Sequence, residues 1–508
     1  MKPVILVLVL ATAAACGSSG VLSSSPSAGA ASRPRPRERL APCSVEGVAE
    51  KLLCGTFAVW ENRSTKQGRK IELHVVVVPS LAKDPAPDPV FSFAGGPGDA
   101  ATNSARGWAE DREIRAHRDI VLVDQRGTGS SHRLDCKVPQ DPGDVQAYFE
   151  PSIPVAEVQR CRAELDKIAD LTQYTTSIAA DDVDEVRAWL GYDKINLEGG
   201  SYGTRAVQVY MRRYGEHVRA AIMVGVAGMD QFLPLFHARD GKHSLDLLFD
   251  ACAKAPECAA AFPDLRAEHE RVLAGLAGAR GHATVESPVD HHSVPVTIPR
   301  NIFAEQIRFT LYNAATASAT PYIIHRAAQG DFEPFAHLAM LWEPSLRGIL
   351  AIGMHLSVTC AEDVPFIAPG AIEPAIAGTY LGGYRVQQQI AACHEWRRGD
   401  VPADFHLPLA TDIPALLVSG PYDPVTPPRW AEGVATHLPH SLHVVITDAH
   451  HGSGGLAHPE CYGGLAAKFI ERGTTEGLDT SCVATMKRPP FITDDAVFAA
   501  LMKAAGGG

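Results

Sequence analysis

The chain has 508 residues, 46% hydrophobic and 20% charged, the composition of a globular protein with room for two or three domain-sized units. Its 46 Lys and Arg against 58 Asp and Glu give a net charge of −12, and no basic cluster stands out, which argues against a nucleic-acid partner. No C-x-x-C or His/Cys cluster is present, so a structural metal is not expected.

In chain order, Met1-Lys2-Pro3 precedes an apolar run from Val4 to Ala15 and then Cys16. One Lys, a short apolar stretch and small residues describe an export signal, and the run is too short to span a membrane as a helix. Ala13-Ala14-Ala15-Cys16 followed by Gly17-Ser18-Ser19 resembles a bacterial lipobox. That resemblance implies residues 1–16 as a lipoprotein-type signal, with Cys16 as the lipidated residue that anchors the protein to a membrane of the cell envelope. An ordinary signal peptide cut after one of the alanines, and a secreted product, is the alternative. Residues 17–40, rich in Ser, Pro, Ala and Arg, read as a flexible tether.

Residues 41–228 alternate strand and helix patterns. Cys54–Trp60 and Ile71–Val78 read as a hairpin with a loop from Asn62 to Gly68. Val90–Ala94 is a buried strand running into Gly95-Gly96-Pro97-Gly98, and Asp119–Asp124 is another, followed by Gln125-Arg126-Gly127-Thr128-Gly129-Ser130. An amphipathic helix over Ala179–Leu190 leads to the strand Lys194–Leu197. Then come Glu198-Gly199-Gly200-Ser201-Tyr202-Gly203-Thr204, the only G-x-S-x-G of the chain, and a helix closed by Gly215. Strand, tight turn, Ser and helix form the context of a nucleophile elbow. Arg219–Val226 is the next strand. This alternation predicts a mostly parallel sheet with ligands at the strand C-terminal ends.

From 229 to 400 apolar residues recur at helical spacing, as in Phe232–Phe236 and Leu245–Phe249, with strand character only around His292 to Ile298. An inserted, mainly helical cap is expected. Sheet character resumes in residues 401–508, with strands over Pro414–Ser419 and Leu442–Ile446. The first runs into Gly420-Pro421-Tyr422-Asp423, the second into Thr447-Asp448-Ala449-His450-His451-Gly452. A Ser nucleophile needs a base, and the base an orienting acid. Ser201, Asp423 and His451 occur in the order of an α/β-hydrolase sheet. The backbone N–H groups of Tyr202 and Gly96 are the candidate oxyanion donors. Pro97 has none to offer.

Eleven cysteines leave ten once Cys16 is set aside, an even number for an exported chain. They fall in local couples, and nearest-neighbour pairing gives Cys43–Cys54, Cys136–Cys161, Cys252–Cys258, Cys360–Cys393 and Cys461–Cys482. Pro256 breaks any helix between Cys252 and Cys258.

The turns Gly95–Gly98, Asp124–Ser130 and Gly199–Thr204 together resemble the prolyl iminopeptidase and tripeptidyl aminopeptidase family of serine peptidases, over about Cys43 to Cys482. The resemblance implies an α/β-hydrolase with a helical cap, no cofactor, and release of residues or short peptides from free N-termini. Two departures are visible. The family often has Gly-His-Gly where this chain has His450-His451-Gly452, which selects His451 and leaves His450 a lesser candidate. Ala94 stands where His or Pro commonly precedes the Gly-Gly. An aminopeptidase must also hold an ammonium group. The family often carries acids late in the cap, so Glu362 or Asp363 is a candidate anchor, with Glu198 as a second and a solvated acidic turn as the alternative. The rival activity is a carboxylesterase with the same triad. A binding protein on an inactive scaffold is disfavoured by the intact Ser, Asp and His.

Overall fold

The computed structural model describes residues 36–136, 144–151 and 154–505. Cys16, the export signal and most of the tether lie outside them. Among the described residues the strands are β1 (Ala41–Cys43), β2 (Leu52–Trp60), β3 (Lys70–Val78), β4 (Val90–Phe93), β5 (Ile120–Val123), β6 (Ile195–Gly200), β7 (Val218–Val224), β8 (Gly281–Glu286), β9 (Ser293–Ile298), β10 (Ala415–Ser419) and β11 (Ser441–Val445).

Nine of these strands form one sheet in the order β1-β2-β3-β5-β4-β6-β7-β10-β11. The strands β1, β2, β3 and β5 pair antiparallel in sequence, and from β5 to β11 every pairing is parallel. The parallel strands are apolar runs because helices cover both faces. Along β3 and β5, Val75, Val77, Val121 and Val123 pack on one face, against helices Thr176–Leu190 and Tyr202–Tyr214. Val76, Val78, Ile120 and Leu122 pack on the other, toward helix Glu460–Arg472. The chain leaves β4 for β5 on one side and returns to β6 on the other. That reversal opens a crevice at the C-terminal end of β4, the place where α/β sheets bind ligands.

Between β7 and β10, which are neighbours in the sheet, the chain departs into a long helical segment with its own core. Phe249, Phe303, Ile307 and Ile323 are buried there. The segment also holds the hairpin β8–β9, of which only the second strand showed in the sequence. Phe232–Phe236 is not helical as expected; it runs as turns, and the helix begins at His237. Pro234 supplies no N–H and restricts the residue before it.

Five disulfides join Cys43–Cys54, Cys136–Cys161, Cys252–Cys258, Cys360–Cys393 and Cys461–Cys482, with Cα–Cα distances of 5.8, 5.0, 5.2, 5.0 and 5.8 Å. One helix ends at Lys254 and another begins at Pro256, which lets Cys252 and Cys258 meet. Among the described residues no helix is long and apolar enough to cross a membrane.

Candidate active site

Ser201 sits between β6 and helix Tyr202–Tyr214 with φ 56° and ψ −127°. A side chain is rarely held in that region, and here the surroundings enforce it. Its N–H donates to Val224 O at 2.9 Å, which ties the turn to the end of β7. A Cβ on Gly203 would lie 2.2 Å from Phe93 O, so only glycine lets the helix start this close to β4. A Cβ on Gly95 would lie 3.3 Å from the Ser201 Cβ, so the turn after β4 packs directly on the serine. Tyr202 is the first residue of its helix, so its N–H has no acceptor within that helix. The Gly96 N–H donates to no backbone acceptor among the described residues.

Asp423 follows β10 and is fully buried. Its Oδ2 meets His451 Nδ1 at 2.7 Å. The same carboxylate accepts the N–H groups of Val425 and Thr426 at 2.9 and 2.8 Å, and the Thr426 hydroxyl at 2.7 Å. Burial alone would push this carboxyl up. The His451 ring and the Thr426 donors outweigh it and hold Asp423 below the usual carboxylate range. His451 follows β11. Its N–H donates to Tyr312 O at 3.1 Å, and its ring stands edge-on to Tyr312 at 5.0 Å. A Cβ on Gly225, just past β7, would lie 3.3 Å from His451 Cε1. The imidazole thus rests against the residue following Val224, and Val224 holds the Ser201 backbone.

Residues 88–249 match the family described as alpha/beta hydrolase fold, and residues 379–482 match the one described as TAP-like protein. The chain has the α/β-hydrolase fold, and its C-terminal part is similar to the TAP-like family. Serine protease Hip1 of Mycobacterium tuberculosis is 30% identical to it over 192 residues, 34% of this chain and 35% of that protein. Tripeptidyl aminopeptidase of Streptomyces lividans is 28% identical over 193 residues, again 34% and 35% of the two chains. The match therefore spans about a third of the length of these curated relatives. Among solved structures, proline iminopeptidase of Mycobacterium smegmatis aligns with 82% of this chain and 98% of its own, with 15% identity and a TM-score of 0.36.

A cleft opens at Ser201. Gly96, Tyr202 and Thr426 line it from the sheet side, and His237, Tyr312, His355 and Arg385 from the helical segment. The structure separates the two candidate histidines. His450 is buried and turned away, with Nδ1 at 2.7 Å from Leu311 O and its ring stacked on Tyr422. Burial pushes it down to about 4.

The acidic pair expected to hold an amine stands behind the cleft rather than in its lining. Glu362 and Asp363 are fully buried. Glu362 accepts the Thr176 N–H at 2.6 Å and the Thr176 hydroxyl at 2.7 Å, and that hydroxyl also meets the Tyr202 OH at 2.5 Å. Asp363 pairs with the buried Arg205 at 2.7 Å and accepts the Leu233 N–H at 3.0 Å. Both carboxylates brace cleft residues from the far side. Glu198 accepts the Ser92 hydroxyl at 2.6 Å and is likewise absent from the described lining. Thr426, Tyr312, His237, His355 and Arg385 escaped the sequence reading. Of these only Thr426 carried a signal, three residues after an Asp in a Pro-flanked turn.

Proposed function

We propose that the chain is an exported serine peptidase that releases short peptides from free N-termini through an acyl-enzyme on Ser201. The observation that carries the chemistry is the 2.7 Å contact between Asp423 Oδ2 and His451 Nδ1, beside the strained Ser201 turn. With Nδ1–H given to Asp423, Nε2 is the basic nitrogen. It takes the Ser201 proton as the serine oxygen attacks the scissile carbonyl, and returns that proton to the leaving amine. The N–H groups of Gly96 and Tyr202 are the donors offered to the developing oxyanion, each contributing about 2.7–4 kcal/mol in the transition state. Water then attacks the acyl-enzyme, with His451 as base.

The peptidase part of the reading is supported by the relatives, named as a serine protease and a tripeptidyl aminopeptidase. A bound tripeptide places its ammonium group about 10 Å from the scissile carbonyl, so the anchor belongs beyond the immediate surroundings of Ser201. Five disulfides support folding in an oxidising compartment. Attachment to a membrane through Cys16 belongs to the same proposal.

The test is hydrolysis of a tripeptide nitroanilide by the soluble chain beginning after Cys16. Turnover of the free-amine peptide, much slower turnover of its N-acetyl form and loss of both in Ser201→Ala are expected. Equal rates would replace the aminopeptidase with an endopeptidase. Turnover of nitrophenyl esters alone would make it a carboxylesterase.

A further inference from the structure

The charge that faces this cleft is a guanidinium. Arg385, on helix Tyr384–His394, lines the cleft together with Ser201, and its side chain is 19% exposed. Its acidic neighbour is Glu305, 4.0 Å away. Both oxygens of Glu305 are already engaged by Arg308, at 2.6 and 3.3 Å. One carboxylate thus stands before two guanidiniums, and the wall keeps a surplus positive charge. Arg385 Nη1 donates to Gln389 Oε1 at 3.0 Å, and the side chain has further N–H donors to give.

Two more polar atoms in this wall lack a partner. His355 Nε2 and His237 Nδ1 are buried without a hydrogen bond, and both residues line the cleft. The other nitrogen of His355 is held by Pro97 O at 3.2 Å, which fixes the ring on the turn beside Ser201. Burial and the Arg385 charge push His355 down to about 4, and burial with the charges of Arg308 and Arg385 lowers His237. Both rings are therefore neutral near pH 7, and both register the field of Arg385. Among the described lining residues there is no Asp or Glu. A buried polar atom left unpartnered is costly unless a ligand satisfies it.

We infer that the cleft receives a carboxylate carried by the acyl portion of the substrate, with Arg385 as its ion-pair partner and the two histidines completing the polar wall. The inference rests on the acyl-hydrolase reading of Ser201. The carboxylate has two possible sources, the side chain of an acidic residue whose carbonyl is attacked, or the free end of a dicarboxylic acyl group. Either pairs with a planar guanidinium in the manner arginine favours.

Two substrate pairs separate the sources. One is mono-p-nitrophenyl glutarate against p-nitrophenyl valerate, and the other is Ala-Ala-Glu nitroanilide against Ala-Ala-Gln nitroanilide. A preference of about tenfold or more in kcat/KM for the acidic member of at least one pair is expected. The pair that shows it names the source. In Arg385→Gln that ratio should collapse toward one, and Arg385→Lys, which keeps the charge, should retain part of it. Equal rates within both pairs, or a ratio unmoved by Arg385→Gln in a variant that melts like the parent, would overturn the site. If no substrate turns over, the hydrolase reading fails. The site is then decided by calorimetry of the glutarate monoester with Ser201→Ala and with Ser201→Ala/Arg385→Gln. Binding that requires Arg385 upholds it, and binding that ignores Arg385, or none at all, sinks it.

Discussion

Thr426 is where Asp423 and His451 converge. Its hydroxyl lies 2.7 Å from Asp423 Oδ2 and 3.1 Å from His451 Nδ1, so it holds the carboxylate in line with the ring. Thr426→Val keeps the shape and removes that oxygen. It should lower kcat by about 10–100-fold while leaving KM nearly constant, the signature of lost alignment. Asp423→Asn should cost more, about 10⁴ in kcat, because the amide favours the wrong His451 tautomer. Glu362 offers a stability readout separate from chemistry. Burial pushes its carboxyl up to about 7, against the pull of Thr176 and Arg205. The folded state then binds this proton more tightly than the unfolded chain. The contribution is present below the unfolded value and is lost as pH rises through about 4.5 to 7, up to about 3 kcal/mol. Urea titrations across that range should show stability falling, and Glu362→Gln should flatten the slope. Ser201, Asp423 and His451 were legible because each follows a recognisable strand in a fixed order. Glu362 and Asp363 were not, because an acidic pair at a helix end reads alike whether solvated or enclosed. Only the packing of Thr176, Tyr202 and Arg205 around them decides.

At the scale of elements, the turn after β5 is a brace. Arg126 is fully buried and grips Asp182 of helix Thr176–Leu190 at 2.6 and 2.8 Å, and also donates to the carbonyls of Glu61 and Gln173 at 2.8 and 2.9 Å. One side chain thus ties β5 to the hairpin β2–β3 and to a covering helix. Arg126→Met leaves Asp182 buried with its main partner gone, and should destabilise the fold by about 3–5 kcal/mol in denaturant titration. Gly203→Ala should be nearly as severe locally, since the added methyl meets Phe93 O. Measured by acylation of Ser201 with a fluorophosphonate probe, that variant should react slowly even where it folds. The parallel strands were readable because strands covered on both faces are plain apolar runs. In the helical segment the pattern misled twice. Phe232–Phe236 has helical spacing but contains Pro234, and the alternation of β8 is only six residues long.

Across the whole molecule, the cleft wall opposite the sheet depends on one covalent link. Cys360–Cys393 joins helix Ile352–Glu362, which carries His355, to helix Tyr384–His394, which carries Arg385. Selective reduction or Cys393→Ser should cost about 2–4 kcal/mol of stability and raise KM. Its counterpart Cys461–Cys482, behind β11, should affect stability alone. The five bridges also share a property of order. Each joins consecutive cysteines at sequence separations of 6 to 33, and none reaches across from one stretch of the chain to a distant one. A polypeptide threaded N-terminus first into an oxidising space would therefore meet each correct partner as the next thiol to emerge. With Cys16 set aside, oxidation in the order of arrival yields the native set, and such a chain has little need of an isomerase to reshuffle its bonds.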